Sequence, residues 1–246
     1  MFEIFSLLMK LRLLLLVYTL SGITSHLLSQ QIGVRPMDST KVDYKYREDQ
    51  FYAGLTFNLL INTPIDQSGF SGGIHLGFIR DMPINKKRNV AFGLGLGYSG
   101  NTYNQSLYID ESTETENSIF LDLDVAQIDY DTNRFITHLL EVPLQFRWRT
   151  SQPQSHKFWR VYTGLQLGYI YYFKSTYVSN NGFEINQTKL EELDRLRYGA
   201  TLSIGWNTFN FYLYYSLNSF FDRTAITNEN PIDINTLKFG LIFYIL

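Results

Sequence analysis

Side chains able to do acid–base or nucleophilic chemistry are few in this chain and widely scattered. Of its four histidines, three follow the apolar N-terminal stretch: His75, His138 and His156. A nucleophilic site needs a hydroxyl or thiol, an imidazole to take its proton and a carboxylate to orient the ring. Cysteine is absent, which removes thiolate catalysis, thiolate metal sites and disulfides together. His75 points inward with Ser203 as a candidate neighbour across the lumen, but no acid is positioned to orient it. The expectation is therefore no catalytic residues and a packed, structural His75. Between positions 101 and 133 lie eight carboxylates, Asp110, Glu111, Glu114, Glu116, Asp122, Asp124, Asp129 and Asp131, and no Lys or Arg. They lack the D-x-D-x-D-G spacing of a calcium loop. A solvated acidic loop is expected, with no metal and no cofactor.

The charges that ask for an explanation sit inside apolar stretches. Glu141, Gln145 and Arg147 alternate with Val142, Leu144, Phe146 and Trp148, and Arg160 and Gln166 alternate with Val161, Leu165 and Leu167. Period-two alternation is a β-strand with two unlike faces. With simple pairing through residues 150–157, Glu141 falls opposite Gln166 and Arg147 opposite Arg160. Two adjacent guanidiniums in a dry interior need a carboxylate to join them. An inward polar network of Glu141, Gln145, Arg147, Arg160 and Gln166 is expected, with further partners to find. Its expected purpose is to hold shape; an ion or ligand path is the alternative.

The elements that must position these groups are strands throughout. In VAFGLGLGYS, residues 90–99, bulky apolar residues alternate with Ala, Gly and Ser. The bare face leaves room inside something crowded, as in a narrow barrel whose greasy side meets lipid. Similar alternation marks strands near 51–61, 70–80, 135–149, 158–174, 197–206, 209–218 and 236–246. Pro143 cannot donate to a ladder, so a bulge or bend is expected there. Asn207-Thr208 reads as a tight hairpin that sets Ser203 opposite Tyr212 and Thr201 opposite Tyr214, small against large. Bulky Tyr162, Tyr172, Tyr212 and Tyr214 point inward, so the lumen is filled rather than open. Residues 175–196 read as a polar loop with a short helical turn near Glu191–Arg195.

That makes about eight strands, with short links at 82–89, 150–157 and 207–208 and long ones at 100–133, 175–196 and 219–233. Short periplasmic turns and long outer loops are the pattern of an outer-membrane barrel. Trp148, Trp159 and Trp206 fall on one rim, and Tyr98, Tyr171 and Phe173 near the other, as amphipathic rings at two membrane interfaces would. A secreted β-sandwich, the competing fold, gives no reason for two such girdles. Net charge is −2, without the basic field that nucleic acid requires. Mean hydropathy of −0.13 excludes a helical-bundle membrane protein and not a barrel. Lys10 and Arg12 precede the apolar residues 13–20, and small and polar residues follow. Residues 1–30 are thus expected to be a secretory signal peptide, with a retained anchor as the alternative. Residues 31–50 read as a periplasmic lead-in and 51–246 as the barrel.

Three stretches, LLEVPLQFRW at 139–148, GLQLGYIYYF at 164–173 and YGATLSIGW at 198–206, resemble the PorT-like outer-membrane barrel family of gliding and type IX-secreting bacteria. The ending Lys238, Gly240, Phe243 and Ile245 looks like the terminal signal read by barrel-assembly machinery, although Leu246 follows where a final Phe is usual. The resemblance implies an all-β, transmembrane, up-and-down antiparallel barrel of about eight strands in the outer membrane. It implies as partners outer-membrane lipid, the assembly machinery during biogenesis and, for a subset of members, type IX secretion proteins. The expected role is a non-enzymatic subunit or accessory of a larger outer-membrane assembly. A free-standing barrel for membrane integrity or adhesion is the alternative, and a lipid- or protein-modifying enzyme ranks third.

Overall fold

The computed structural model describes residues 49–245 apart from 64, 112–117, 151–158, 223, 228 and 229. The signal peptide, nearly all of the lead-in, His156, Glu114, Glu116 and Leu246 lie outside the described residues. In chain order the strands are β1 (Gln50–Ile61), β2 (Gly72–Pro83), β3 (Val90–Asn104), β4 (Leu107–Glu111), β5 (Ser118–Asp122), β6 (Tyr130–Arg149), β7 (Trp159–Ser179), β8 (Glu184–Gln187), β9 (Leu196–Trp206), β10 (Phe209–Ser216), β11 (Ile226–Thr227), β12 (Asn230–Pro231) and β13 (Asn235–Ile245). Eight of them close a barrel. Going round the wall the order is β1, β2, β3, β6, β7, β9, β10 and β13, with β13 pairing back onto β1. Each joins its sequence neighbour antiparallel, so the topology is up-and-down and no barrel strand has a free edge.

The alternation seen in the sequence fixes which way each face looks. Leu55, Leu96, Leu140, Leu165 and Phe211 point away from the axis and are exposed, while Glu141, Arg147, Arg160 and Lys238 point in and are buried. This is the reverse of a water-soluble sheet protein. Such a surface is stable only against hydrocarbon.

Several boundaries move. The second barrel strand runs on past Arg80 to Pro83, which brings Asp81 into the wall. Strand β3 continues to Asn104 and β6 begins at Tyr130, so the acidic loop is shorter than expected. Within it β4 and β5 form a hairpin, and the run from Ile119 to Val125 is cut by a turn after Asp122. Residues 175–196 are partly strand: β7 reaches Ser179 and β8 pairs back onto it. Glu191 and Glu192 form a turn rather than a helix, and Leu193 bridges to Phe221.

Two registers differ from expectation. Arg149, not Arg147, faces Arg160; Arg147 faces Tyr162, Glu141 faces Gly168 and Gln166 faces Pro143. Pro143 causes no bulge. Its β3-side pairing is interrupted between Leu94↔Leu144 and Gly97↔Glu141, but the register resumes unshifted. The irregularity lies higher, where His138↔Tyr172 is followed by Leu139↔Ile170 and Tyr171 is the extra residue. One added residue exchanges the faces beyond it. Phe173 therefore turns inward and is buried, and Tyr172 turns outward. Both are the opposite of the expected placement.

Candidate functional site

The lumen is filled in layers, and the layer nearest the short turns is charged. Asp81 on β2 receives Arg149 through two hydrogen bonds, Nη1 to Oδ1 at 2.8 Å and Nη2 to Oδ2 at 2.7 Å. Arg147 Nη1 donates to the same Oδ1 at 2.9 Å, and its Nη2 donates to Gln50 Oε1. The Arg147 guanidinium also lies 4.2 Å from the centroid of the Tyr162 ring, a cation–π contact. Arg149 Nε donates to the Arg88 carbonyl and Arg160 Nη1 to that of Asn207, tying the layer to two of the short turns. Asp81 is thus the carboxylate that two clustered arginines require. Neither it nor Arg149 was singled out in the sequence.

Above this layer lie Tyr52, Tyr162, Tyr212, Tyr214 and Tyr244, packed with Ile79 and Ile242. The bare face of β3 makes room for them. A Cβ on Gly97 would come within 2.0 Å of the Tyr52 hydroxyl, and one on Gly93 within 2.8 Å of the Arg147 side chain. The tight turn sets Tyr212 against Ser203 and Tyr214 against Thr201, the pairing expected from the sequence.

The middle layer is a directed hydrogen-bond circuit. Lys238 has only protons to give, so Asn101 Oδ1 accepts from it at 2.9 Å. Asn101 Nδ2 then donates to Ser99 Oγ at 3.2 Å, and Ser99 donates to Glu141 Oε1 at 2.6 Å. On the other side Asn58 Nδ2 reaches Asn101 Oδ1 at 3.4 Å, and Thr56 gives its single proton to Asn58 Oδ1 at 2.9 Å. The Thr56 oxygen can then only accept from His75 Nε2, 3.0 Å away. His75 Nδ1 faces Glu141 Oε2 at 3.8 Å.

A carboxylate therefore does stand beside His75, against expectation, and the hydroxyl beside the ring is that of Thr56 and not Ser203. The order hydroxyl, imidazole, carboxylate is that of a nucleophilic triad, but the proton runs the wrong way. The imidazole donates to the hydroxyl instead of taking its proton, and the carboxylate is beyond hydrogen-bond reach. The void beside Glu141, Gln166, Arg197, Tyr214 and Lys238 holds about 10 Å³, room for one water. A substrate has no place there. Gln166 accepts from the Tyr212 hydroxyl at 3.0 Å, and Gln145 is buried in the charged half of the lumen. The five expected polar residues all face inward: Arg147 and Arg160 lie in the charged layer, Glu141 ends the circuit at Ser99, and Gln166 meets Tyr212.

The outer mouth is sealed by an apolar cluster. Tyr103, Phe135 and Phe173 from the wall pack on Phe220 and Phe221 from the loop after β10, with Leu107 and Ile109 of β4 above. Tyr103 and Phe135 stack at 4.9 Å, and both meet Phe220 edge-on. Arg197 closes the layer from below. Its guanidinium sits 4.3 Å from the Phe220 ring and donates to the carbonyls of Asn218, at 2.9 Å, and Ser219. The apolar residues at positions 220, 221, 232 and 234 were the available signal for this cap, and the reading of 219–233 as simply a long outer loop passed over them.

An apolar outer wall around a charged, closed lumen is the arrangement of a membrane barrel, and the family comparison agrees. The family described as outer membrane protein beta-barrel domain matches residues 29–222. The chain belongs to that family. Comparison with curated proteins finds no match. Among solved structures the chain is similar to Ail, the attachment invasion locus protein of Yersinia pestis. In its complex with the heparin analogue sucrose octasulfate, identity is 14% over 81% of this chain and 99% of that one, at a TM-score of 0.34. A second Ail structure gives 12% identity over 80% and 97%, again at 0.34.

As a member of the outer membrane protein beta-barrel domain family, the chain resides in the outer membrane, and its rims can be oriented. Trp148, Trp159 and Trp206 are exposed at the strand ends beside the short turns, with the rings of Trp159 and Trp206 5.4 Å apart. Tyr171 is exposed and Tyr98 half-buried at the other end of the band. Of the terminal-signal residues, Ile245 faces outward and Lys238 is buried in the lumen circuit. Phe243 packs edge-on against Phe209, 5.1 Å away. Gly240 is packed so closely that a Cβ would lie 2.0 Å from the Leu55 carbonyl oxygen.

Proposed function

We propose that this barrel is a non-enzymatic, non-conducting subunit or accessory of a larger outer-membrane assembly, with its folded outer head and its wall as the contact surfaces. The observation that carries this reading is the cap. The loops at the outer mouth share a buried apolar core, and Phe183, Val125, Ile119 and Ile226 are left exposed on the head. A pre-ordered surface with apolar side chains facing water suits protein recognition, because little ordering entropy is lost on docking. Type IX secretion is the assembly suggested by the PorT-like stretches at 139–148, 164–173 and 198–206. A second reading, a free-standing barrel for membrane integrity or adhesion, is favoured by the complete closure of the wall, which needs no partner strand.

Affinity purification of the tagged full chain from solubilised membranes separates the two. Stoichiometric co-purification of outer-membrane proteins supports the assembly reading, and an isolated monomer overturns it. Loss of protein secretion on deletion of the gene would identify the assembly as a secretion machine.

A further inference from the structure

One sector of the lipid-facing wall differs from the rest at its outer edge. His138 on β6 lies ten positions above Trp148. That is about 33 Å along the strand, or about 25 Å in height at the usual tilt, the thickness of the apolar band. Outward-facing His138 therefore sits at the outer membrane interface, and the next outward positions lie among lipid headgroups. Those positions carry cations. Arg134 is exposed four residues further along β6. Lys174 on β7 pairs with Ile136 between Arg134 and His138, so all three point from one face within neighbouring rungs. The bulge at Tyr171 is what brings Lys174 to this face, because without it Lys174 would point inward. Among the described residues neither Arg134 nor Lys174 makes an ion pair.

Beside the cations the wall is hollow. A groove of about 440 Å³ runs between Phe70 and His138, over Gly72, Gly100 and Ile136. Its lining is almost wholly apolar, and its far side is closed by Tyr98, whose hydroxyl is 2.5 Å from His138 Nδ1. Two of the residues flooring it, Gly72 and Gly100, are outward positions with no side chain. An apolar slot whose lining residue Ile136 is flanked by Arg134 two positions on and by Lys174 in the facing rung matches one kind of molecule: acyl chain below, phosphate above.

We propose that this corner of β2, β3, β6 and β7 binds a phosphate-bearing lipid of the outer leaflet. The acyl chain lies in the groove over Gly72 and Gly100. The phosphate meets Arg134 and Lys174, with His138 and Tyr98 at the level of the glycerol or sugar.

The test is native mass spectrometry of the full chain in detergent. Diphosphorylated lipid A is titrated against the same lipid with its phosphates removed. One phosphorylated lipid per chain, retained at energies that strip the dephosphorylated form, is the expected result and needs no variant. Replacing both cations, Arg134→Ala with Lys174→Ala, is expected to lower occupancy about tenfold or more. Gly100→Leu fills the groove with both cations in place and is expected to lower it as well. Equal retention of the two lipids overturns the proposal, as does undiminished binding by the double variant. Displacement of the lipid by millimolar inorganic phosphate also overturns it, since that marks a site for a free anion.

Discussion

Replacing Asp81 by Asn keeps the shape of the charged layer and removes the carboxylate that accepts from both Arg147 and Arg149. The structure sets the size of the effect. All three side chains are fully buried, and three hydrogen bonds of 2.7–2.9 Å converge on the two carboxylate oxygens. Removing one partner from such a buried, hydrogen-bonded set costs about 3–5 kcal/mol. For a domain of this size that is a fall of about 6–20 °C in unfolding midpoint. The assay is urea or thermal unfolding of the refolded barrel in lipid vesicles, followed by the gel mobility of the unheated protein and by tryptophan fluorescence. Because the pair is shielded from solvent, the loss is expected to persist in molar salt, whereas a surface pair would be screened. Adding Arg149→Met to Asp81→Asn removes one of the two guanidiniums that lose this carboxylate, so the double variant is expected to be more stable than Asp81→Asn alone. A loss below about 1 kcal/mol for Asp81→Asn, or strict additivity in the double variant, would refute the claim that Asp81 joins the two guanidiniums.

Gly97→Val is expected to destabilise the barrel by about 1–3 kcal/mol through the Tyr52 hydroxyl that occupies its side-chain space. Tyr52→Phe in the same chain should recover part of the loss, read from urea midpoints. Phe220→Ala opens the cap and is expected to cost about 3–5 kcal/mol. In planar bilayers both this variant and the parent should show no single-channel steps, because the Asp81 layer still closes the inner end. The chain has three tryptophans, all on one rim. Lipids brominated near the carbonyl should quench them more than lipids brominated at the chain ends; the reverse order would mean the wall is placed wrongly in the membrane.

The faces of the strands were legible from residue types alone, and the partners were not. The register of β6 against β7 is offset by two residues from the simple pairing, so Arg149 replaces Arg147 opposite Arg160. A slip of two residues leaves each side chain on its own face. Glu141, Arg147 and Gln166 therefore face the lumen as expected while meeting different neighbours. A slip of one does the opposite, and the bulge at Tyr171 is such a slip. Nothing in the run Ile170-Tyr171-Tyr172-Phe173 marks which ring is the extra one, since any of the four suits either lipid or a packed interior. Asp81 escaped for another reason. Inward Ile79 interrupts the small and polar series His75, Gly77, Asp81, and the strand looked finished at Arg80. His75 shows the limit most plainly: its neighbours Thr56 and Glu141 come from β1 and β6, and only the side-by-side pairing of β1, β2, β3 and β6 in one wall brings them together.

The two ends of the lumen are closed by opposite means, and the difference bears on where this protein can act. At the inner end closure is ionic: Asp81 and the arginines bind strand to strand and reach the turns at Arg88 and Asn207. This ties the wall together with no loop among the described residues entering it. At the outer end closure is apolar, and the closing groups come from loops. Phe220, Phe221, Ile232 and Ile234 leave water by packing on Tyr103, Phe135 and Phe173. Ser118 donates to Glu192, and Leu193 bridges to Phe221, so separate loops share one scaffold. Burial of that apolar surface supplies what is needed to hold the loops in one arrangement. Loops that were only tethers would stay polar and gain nothing from it. On the readings proposed above, the ordered head is the surface that meets proteins and the grooved wall the one that meets lipid.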